Sequence, residues 1–184
     1  MSPEQYLEIE REAEFRHEYL DGEITDMSNG TFNHGRIVAE IATQMLNQLR
    51  GRPCEPSAID LRLWCEQYRL FTYPDIVVTC GPDLFLDKRR DTVVDATVII
   101  EVLSPSTKNY DRGEKFRFYR SLPSFSEYLL LAQDSIRAEH HARQPDGSWL
   151  FREFTMPDSD IELKSIHCRL LLGSLYKRVV FEPE

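Results

Sequence analysis

The 184-residue sequence has no CxxC pair, no glycine-rich phosphate loop, no dinucleotide fingerprint and no apolar run of membrane-spanning length. Each absence excludes something. The four cysteines, Cys54, Cys65, Cys80 and Cys168, are scattered, so their spacing argues against a zinc site. A chain of this size needs no disulfide framework, and three of the four fall in strand-like runs, where a reduced thiol packs as a small apolar group. No segment approaches the roughly 20 apolar residues that a bilayer span needs, so no membrane partner is expected. The stretch from Met1 to Arg16 is charged throughout and has no apolar core of a signal peptide, which points to a cytoplasmic protein. Positive charge is short as well: 22 basic side chains stand against 31 acidic ones, a net charge of -9. Such a chain should not bind nucleic acid indiscriminately, and handling a polyanion requires a local basic surface or metal ions. No serine–histidine–acid arrangement has local support.

What is present describes one soluble domain over residues 1–184, with a hydrophobic fraction of 41% and a charged fraction of 29%. Ser2, Pro3 and Gln5 carry the start signals of a short helix over 3–14, with Tyr6, Leu7 and Ile9 on one side. Asp21-Gly22 between two strand-like runs predicts a hairpin. After a loop at Ser28-Asn29-Gly30, Ile37, Ile41, Met45 and Leu49 recur every four residues, the stripe of a long helix packed on a sheet, which Gly51 and Pro53 end. Residues 58–66 alternate, with Ile59, Leu61, Leu63 and Cys65 against Asp60, Arg62 and Trp64, so one half-buried strand is expected there. Residues 73–80, 95–103 and 127–132 read as further strands, the last two nearly all apolar and so covered on both faces. A helix is expected over 110–121, stopped by Pro123, and then a hairpin of 136–143 with 149–155 around Pro145-Asp146-Gly147. Short apolar pieces and a helical turn or two close the chain. Helices interleaved with a sheet make this an α/β (α+β) domain with a mixed central sheet.

Chemistry concentrates between Tyr73 and Tyr119. Glu101 lies inside the run Val98 to Leu103, whose two faces are both apolar, so its carboxylate sits against an apolar wall. Burying an unpaired carboxylate costs on the order of several kcal/mol or forces it to take up a proton. A metal ion or a cationic partner removes that cost; a plain salt bridge is the structural alternative. Asp75 follows Pro74 at the head of Ile76-Val77-Val78 and gains weight from Glu101 on the next long apolar strand. Two carboxylates on neighbouring strands suit a hard divalent cation, since Mg²⁺ takes one or two of them and keeps waters and phosphate oxygens. Asp111, Lys115 and Tyr119 fall four apart on the next helix, which turns Lys115 toward the apolar side. Its ammonium either snorkels to water or supplies fixed positive charge to a phosphoryl transition state. His34 at the start of the long helix reads as a capping or packing residue, with a ligand or base role open. Glu18 reads as a solvated strand charge able to lean into the site.

The order Pro74-Asp75, Glu101-Val102-Leu103-Ser104-Pro105-Ser106, Asp111, Lys115, Tyr119 and Glu127-Tyr128 resembles the Uma2 family, also called DUF820, a group of restriction-endonuclease-like proteins abundant in cyanobacteria. The Glu18 to Ile24 hairpin and His34 are similar to the N-terminal pattern of the same family. The resemblance covers about Tyr6 to Val179. It implies a PD-(D/E)XK nuclease-like fold, Mg²⁺ (or Mn²⁺) on Asp75 and Glu101, and a lysine assisting phosphodiester hydrolysis. One departure stands out. Leu103 occupies the position two residues after Glu101 where the usual motif has lysine, and family members of this kind take the lysine from the following helix, here Lys115. The expected activity is a metal-dependent endonuclease on nucleic acid, DNA first, with catalytic Asp75, Glu101 and Lys115. Arg112, Arg117, Arg120 and the Lys88-Arg89-Arg90 cluster would contact the backbone. The alternative, favoured by the net charge and Leu103, is a non-catalytic interaction or regulatory module on the same fold. Oligomeric state stays open, a homodimer being one arrangement because two cuts need two sites.

Overall fold

The computed structural model describes residues 1–27, 30–58, 60–82 and 84–181. The Ser28-Asn29 part of the first expected loop and the Ile59 position of the expected strand lie outside them. Helix α1 (Pro3–Glu10) starts as its sequence predicts: Ser2 and Gln5 form a reciprocal capping box with Pro3 in the first turn. It buries Tyr6, Leu7 and Glu10, while Ile9 faces water, so its inner face differs from the expected one. Strands β1 (His17–Leu20) and β2 (Glu23–Asp26) meet at Asp21 and Gly22, whose φ angles of 44° and 107° are those a tight hairpin turn demands.

Helix α2 (Phe32–Leu49) is capped by Thr31, whose side chain accepts the His34 amide hydrogen, and it buries Ile37, Val38, Ile41, Met45 and Leu49. Two strands follow where one was expected. Strand β3 (Cys54–Ala58) and β4 (Arg62–Cys65) belong to different sheets, and all four residues of β4 are buried rather than alternating. The reason is tertiary: Trp64 stacks on Phe71 at 4.0 Å within a cluster that also holds Tyr6 and Tyr19, and Arg62 pairs with Asp91. The short β5 (Leu70–Thr72) and β7 (Thr92–Val93) carry little sequence signal of their own.

The main sheet holds β6 (Ile76–Cys80), β8 (Val98–Leu103), β9 (Glu127–Ala132), β10 (Ala138–Arg143) and β11 (Trp149–Phe154) in the order β11-β10-β9-β8-β6-β3. Only β8 and β9 run parallel within it. A smaller sheet runs β2-β1-β5-β4-β7, and β12 (Asp160–Leu163) pairs with β13 (Cys168–Leu171) before a last turn, Leu172–Leu175. Every residue of β8 and β9 is buried, as their unbroken apolar runs require. Even-numbered β8 residues Val98, Ile100 and Val102 join the core under α2; odd-numbered Ile99 and Leu103 join Tyr128, Leu130, Phe118 and Tyr119 on the other face. Glu101 therefore projects into the second face by register alone.

One expectation is corrected here. Cys65 and Cys168 are free and buried, but Cys54 and Cys80 form a disulfide. The two sit directly opposite one another in the antiparallel β3–β6 pair, a pairing that sequence spacing does not display. Among the described residues no helix is long and apolar enough to cross a membrane.

Candidate active site

The helix expected over 110–121 spans 108–119 and is not regular. A π-helical segment, Asp111–Lys115, lies between the short α-turns Lys108–Tyr110 and Phe116–Tyr119. Such widened turns change which side chains share a face, and they concentrate at functional sites. Here the segment buries Asp111 and Lys115 together. The Tyr128 hydroxyl donates to the Asp111 backbone carbonyl at 3.1 Å, tying the widened turn to β9.

Lys115 is 6% exposed, and its ammonium does not snorkel to water. It lies 3.1 Å from Glu101 Oε1, 3.2 Å from Asp111 Oδ1 and 4.0 Å from Glu18 Oε2. Glu101 is 4% exposed and has three donors: Lys115, the Tyr119 hydroxyl at 2.9 Å, and the Asp75 amide at 3.2 Å. The Asp75 carboxylate accepts the Val102 amide hydrogen at 2.7 Å and meets the His34 ring 3.0 Å away. Asp75 and Glu101 thus lock each other: each carboxylate takes a backbone N–H from beside the other.

Glu18 enters from β1. It accepts from Thr72 at 2.7 Å and from the Tyr110 hydroxyl. These groups line one cleft of about 500 Å³ at the C-terminal end of β8, with His34 on its rim. All three predicted site residues meet there. Sequence reasoning left Glu18 as a leaning strand charge and used Asp111 only as a phase marker for Lys115, although its four-residue spacing from Lys115 was the available signal. Tyr119, third of that same spacing, turns out to be a direct donor to Glu101.

The charge balance follows from burial. Burial pushes the Glu101 carboxyl up to about 7; Lys115 opposes this, while Asp75 and Asp111 reinforce it. Burial works against the Lys115 charge, but Glu101, Asp111 and Glu18 outweigh it and hold the ammonium well above its ordinary value. His34 is also raised: burial works against its protonation, and the Asp75 carboxylate wins. One cation among three close acids leaves the cleft electron-rich. Among the described residues no three histidine, cysteine or acidic side chains converge as a cage for a metal ion. Asp75 and Glu101 both line the cleft, a pair of carboxylate donors of the kind Mg²⁺ takes alongside waters and phosphate oxygens.

The expected backbone-contacting arginines are placed differently. Arg112 is bidentate to Glu139, Arg117 pairs with Glu114 and lies over Tyr68, and Arg120 lies over Phe116. The Lys88 to Arg90 turn sits beside Asp87 and Asp91, which bind Arg11 just after α1, and none of its residues lines the cleft.

A mixed sheet flanked by helices, with two acids on adjacent strands and a lysine from the next helix, defines an α+β restriction-endonuclease-like fold. The chain superposes with a TM-score of 0.81, over 98% of its length and 99% of the other chain, on a protein from Anabaena variabilis described as "a putative nuclease belonging to DUF820", at 16% identity. Residues 3–170 match the family described as "Uma2: Putative restriction endonuclease". The chain belongs to the Uma2 family. Two relatives from Synechocystis sp. (strain ATCC 27184 / PCC 6803 / Kazusa) are the uncharacterized proteins slr1290 and sll1609. The first is 36% identical over 98% of this chain and 94% of its own length, the second 32% identical over 86% and 89%.

Proposed function

We propose that this protein is a metal-dependent endonuclease that hydrolyses nucleic-acid phosphodiester bonds, DNA being the first substrate to test. The observation that carries the reading is the Lys115 ammonium held between Glu101 and Asp111 beside Asp75, at one open cleft. Family membership supports the same reaction class. Asp75 and Glu101 would hold Mg²⁺ or Mn²⁺, which when bound supplies an activated water and charge neutralisation at the phosphate. The chain's own residues do the rest. Lys115, itself buried, offers fixed positive charge where negative charge develops. The Val102 amide and His34 orient Asp75; Tyr119 and the Asp75 amide orient Glu101. A proton on Glu101 competes with a metal ion, and burial raises that carboxyl, so metal affinity should rise with pH as the carboxyl ionises.

A second reading has its own support. Lys115 is already neutralised by acids, and Leu103 stands where the usual motif has lysine, as a non-catalytic module would allow. Cleavage of plasmid DNA with Mg²⁺ or Mn²⁺, set against Asp75→Ala and Glu101→Gln, separates the two. Metal-dependent cutting that both substitutions abolish is the expected result. Cutting that survives both would sink the assigned site, and an absence of calorimetric metal binding would favour the module.

A further inference from the structure

The face that carries Glu101 continues across the sheet to the edge strand β11, most of whose residues are exposed. Registers place Glu101, Leu130, Glu139 and Glu153 in one row, and Ile99, Tyr128, His141 and Phe151 in the next row on the same face. Beyond the helix over 108–119, this second row ends in a ring cluster in which Phe116, His141 and Trp149 are half-buried and Phe151 is exposed. Phe116 lies 4.5 Å from His141 and 5.0 Å from Trp149, and His141 lies 5.0 Å from Phe151. The guanidinium of Arg120 sits over the free side of Phe116 at 5.0 Å. The ladder thus runs from a cation through three aromatic rings to Phe151, which is 51% exposed on the edge strand β11. By strand spacing, Phe151 is roughly 15 Å from Glu101.

The charge around the rings says what fits them. Arg143 stands opposite Trp149 at one end, and neither it nor Arg120 forms an ion pair among the described residues. The acids of this face, Glu139 and Glu153, are both held by arginines: Arg112 and Arg137 for the first, Arg137 for the second. With those two acids already paired, Arg120 and Arg143 are left without an ion-pair partner among the described residues beside the rings, on a chain whose overall charge is -9. An apolar protein partner has no need of that imbalance; a phosphodiester chain with exposed bases does. Aromatic rings flanked by arginines are the general means of holding unpaired bases, because every base has a face to stack and every linkage a charge to neutralise. Bases inside a duplex are already stacked on one another and cannot reach the rings.

We propose that the Phe116–His141–Trp149–Phe151 face, flanked by Arg120 and Arg143, is a stacking platform that selects single-stranded nucleic acid and leads it to the cleft. This rests on the nucleic-acid reading of the cleft and deepens it to a substrate class.

The test measures binding without turnover. Fluorescence anisotropy of a labelled short oligothymidylate and of the matching duplex is recorded with wild-type protein in EDTA. The single strand should bind more tightly than the duplex. Phe151→Ala should weaken it about 5- to 100-fold, the loss of one stacked base, while leaving the weak duplex affinity unchanged. Phe151→Trp should restore it, since the larger ring stacks as well, and circular dichroism checks that both variants fold. The oligonucleotide should also quench tryptophan fluorescence in wild-type protein but not in Trp149→Phe, because the remaining Trp64 is packed on Phe71 in a separate cluster. Unchanged single-strand affinity in Phe151→Ala overturns the proposal. So does equal affinity for duplex, or a concentration-dependent dimer that Phe151→Ala dissociates, which would give the face to a second copy. Binding that obeys the platform without metal-dependent cutting would instead overturn the hydrolytic reading alone. Cutting that ignores Phe151 would overturn the platform alone.

Discussion

Lys115→Met is the most informative single change, because the lysine is the cation buried between Glu101 and Asp111 in the acid cluster of the cleft. The substitution keeps most of the volume of the side chain and removes its charge. In the folded protein it leaves Glu101 and Asp111, 4% and 3% exposed, without the ammonium that lies 3.1 Å and 3.2 Å from them. Removing one partner of a buried pair costs about 3–5 kcal/mol, more than the pair itself contributes, because the survivor stays buried and unpaired. Protonation of Glu101 offers partial relief, and this gives the effect a pH signature. Glu101 has a folded value raised from 4.5 to about 7 even with the lysine present. Loss of the lysine moves it higher still. A carboxyl raised in the folded state binds more protons there than in the unfolded chain, so its contribution falls as pH rises from about 4.5 and levels off above the folded value. Metal-free urea denaturation should therefore show Lys115→Met losing the full amount near pH 8.5 and distinctly less near pH 6. The double variant with Glu101→Gln should lose less than the sum of the singles, with a coupling of about 1–3 kcal/mol. A loss under about 1 kcal/mol at both pH values, additive with Glu101→Gln, would refute the buried-cluster account and place the ammonium in water.

Two further outcomes test the frame around the site. Glu127 accepts from His140, from the Ser165 hydroxyl and from the Lys164 and Ser165 amides, and these donors outweigh burial to hold its carboxyl below the ordinary value. Its stabilisation is complete above about 4.5 and disappears as pH falls through the depressed native value, so Glu127→Gln should flatten the acid limb of a stability–pH curve while lowering stability at pH 7. The Cys54–Cys80 bridge joins residues 26 apart, and loop closure over that span corresponds to roughly 3 kcal/mol, so a reductant should lower the urea midpoint of the wild type and leave Cys54→Ser unmoved. Equal midpoints with and without reductant would contradict the bridge.

The chain itself determined the elements whose signal is local. Ser2, Pro3 and Gln5 set the start of α1, Asp21-Gly22 set a hairpin, and the four-residue stripe from Ile37 to Leu49 set α2 and its buried face. The nearly all-apolar runs of β8 and β9 announced central strands, and the acid inside the first made Glu101 the strongest candidate from the sequence alone. The order of acids and lysine also sufficed to place the chain in its family.

Only the tertiary structure decided what depends on partners far apart in sequence. The residues of 54–66 split between two sheets because Trp64 and Arg62 find Phe71 and Asp91, not because of any break in their own pattern. Cys54 met Cys80 through strand register. The widened turn at Asp111–Lys115 and the burial of Asp111 beneath it are not legible in the spacing, which marked only that Asp111 and Lys115 share a side. Glu18 became part of the cleft through the pairing of β1 with β5, which sets Tyr19 opposite Phe71 and gives Glu18 the Thr72 hydroxyl 54 residues away. Local physics can place an acid in an apolar strand. Which cation answers it, and which other acids share that cation, is settled by packing between elements, because charge pairing acts through space and the sequence records only distance along the chain.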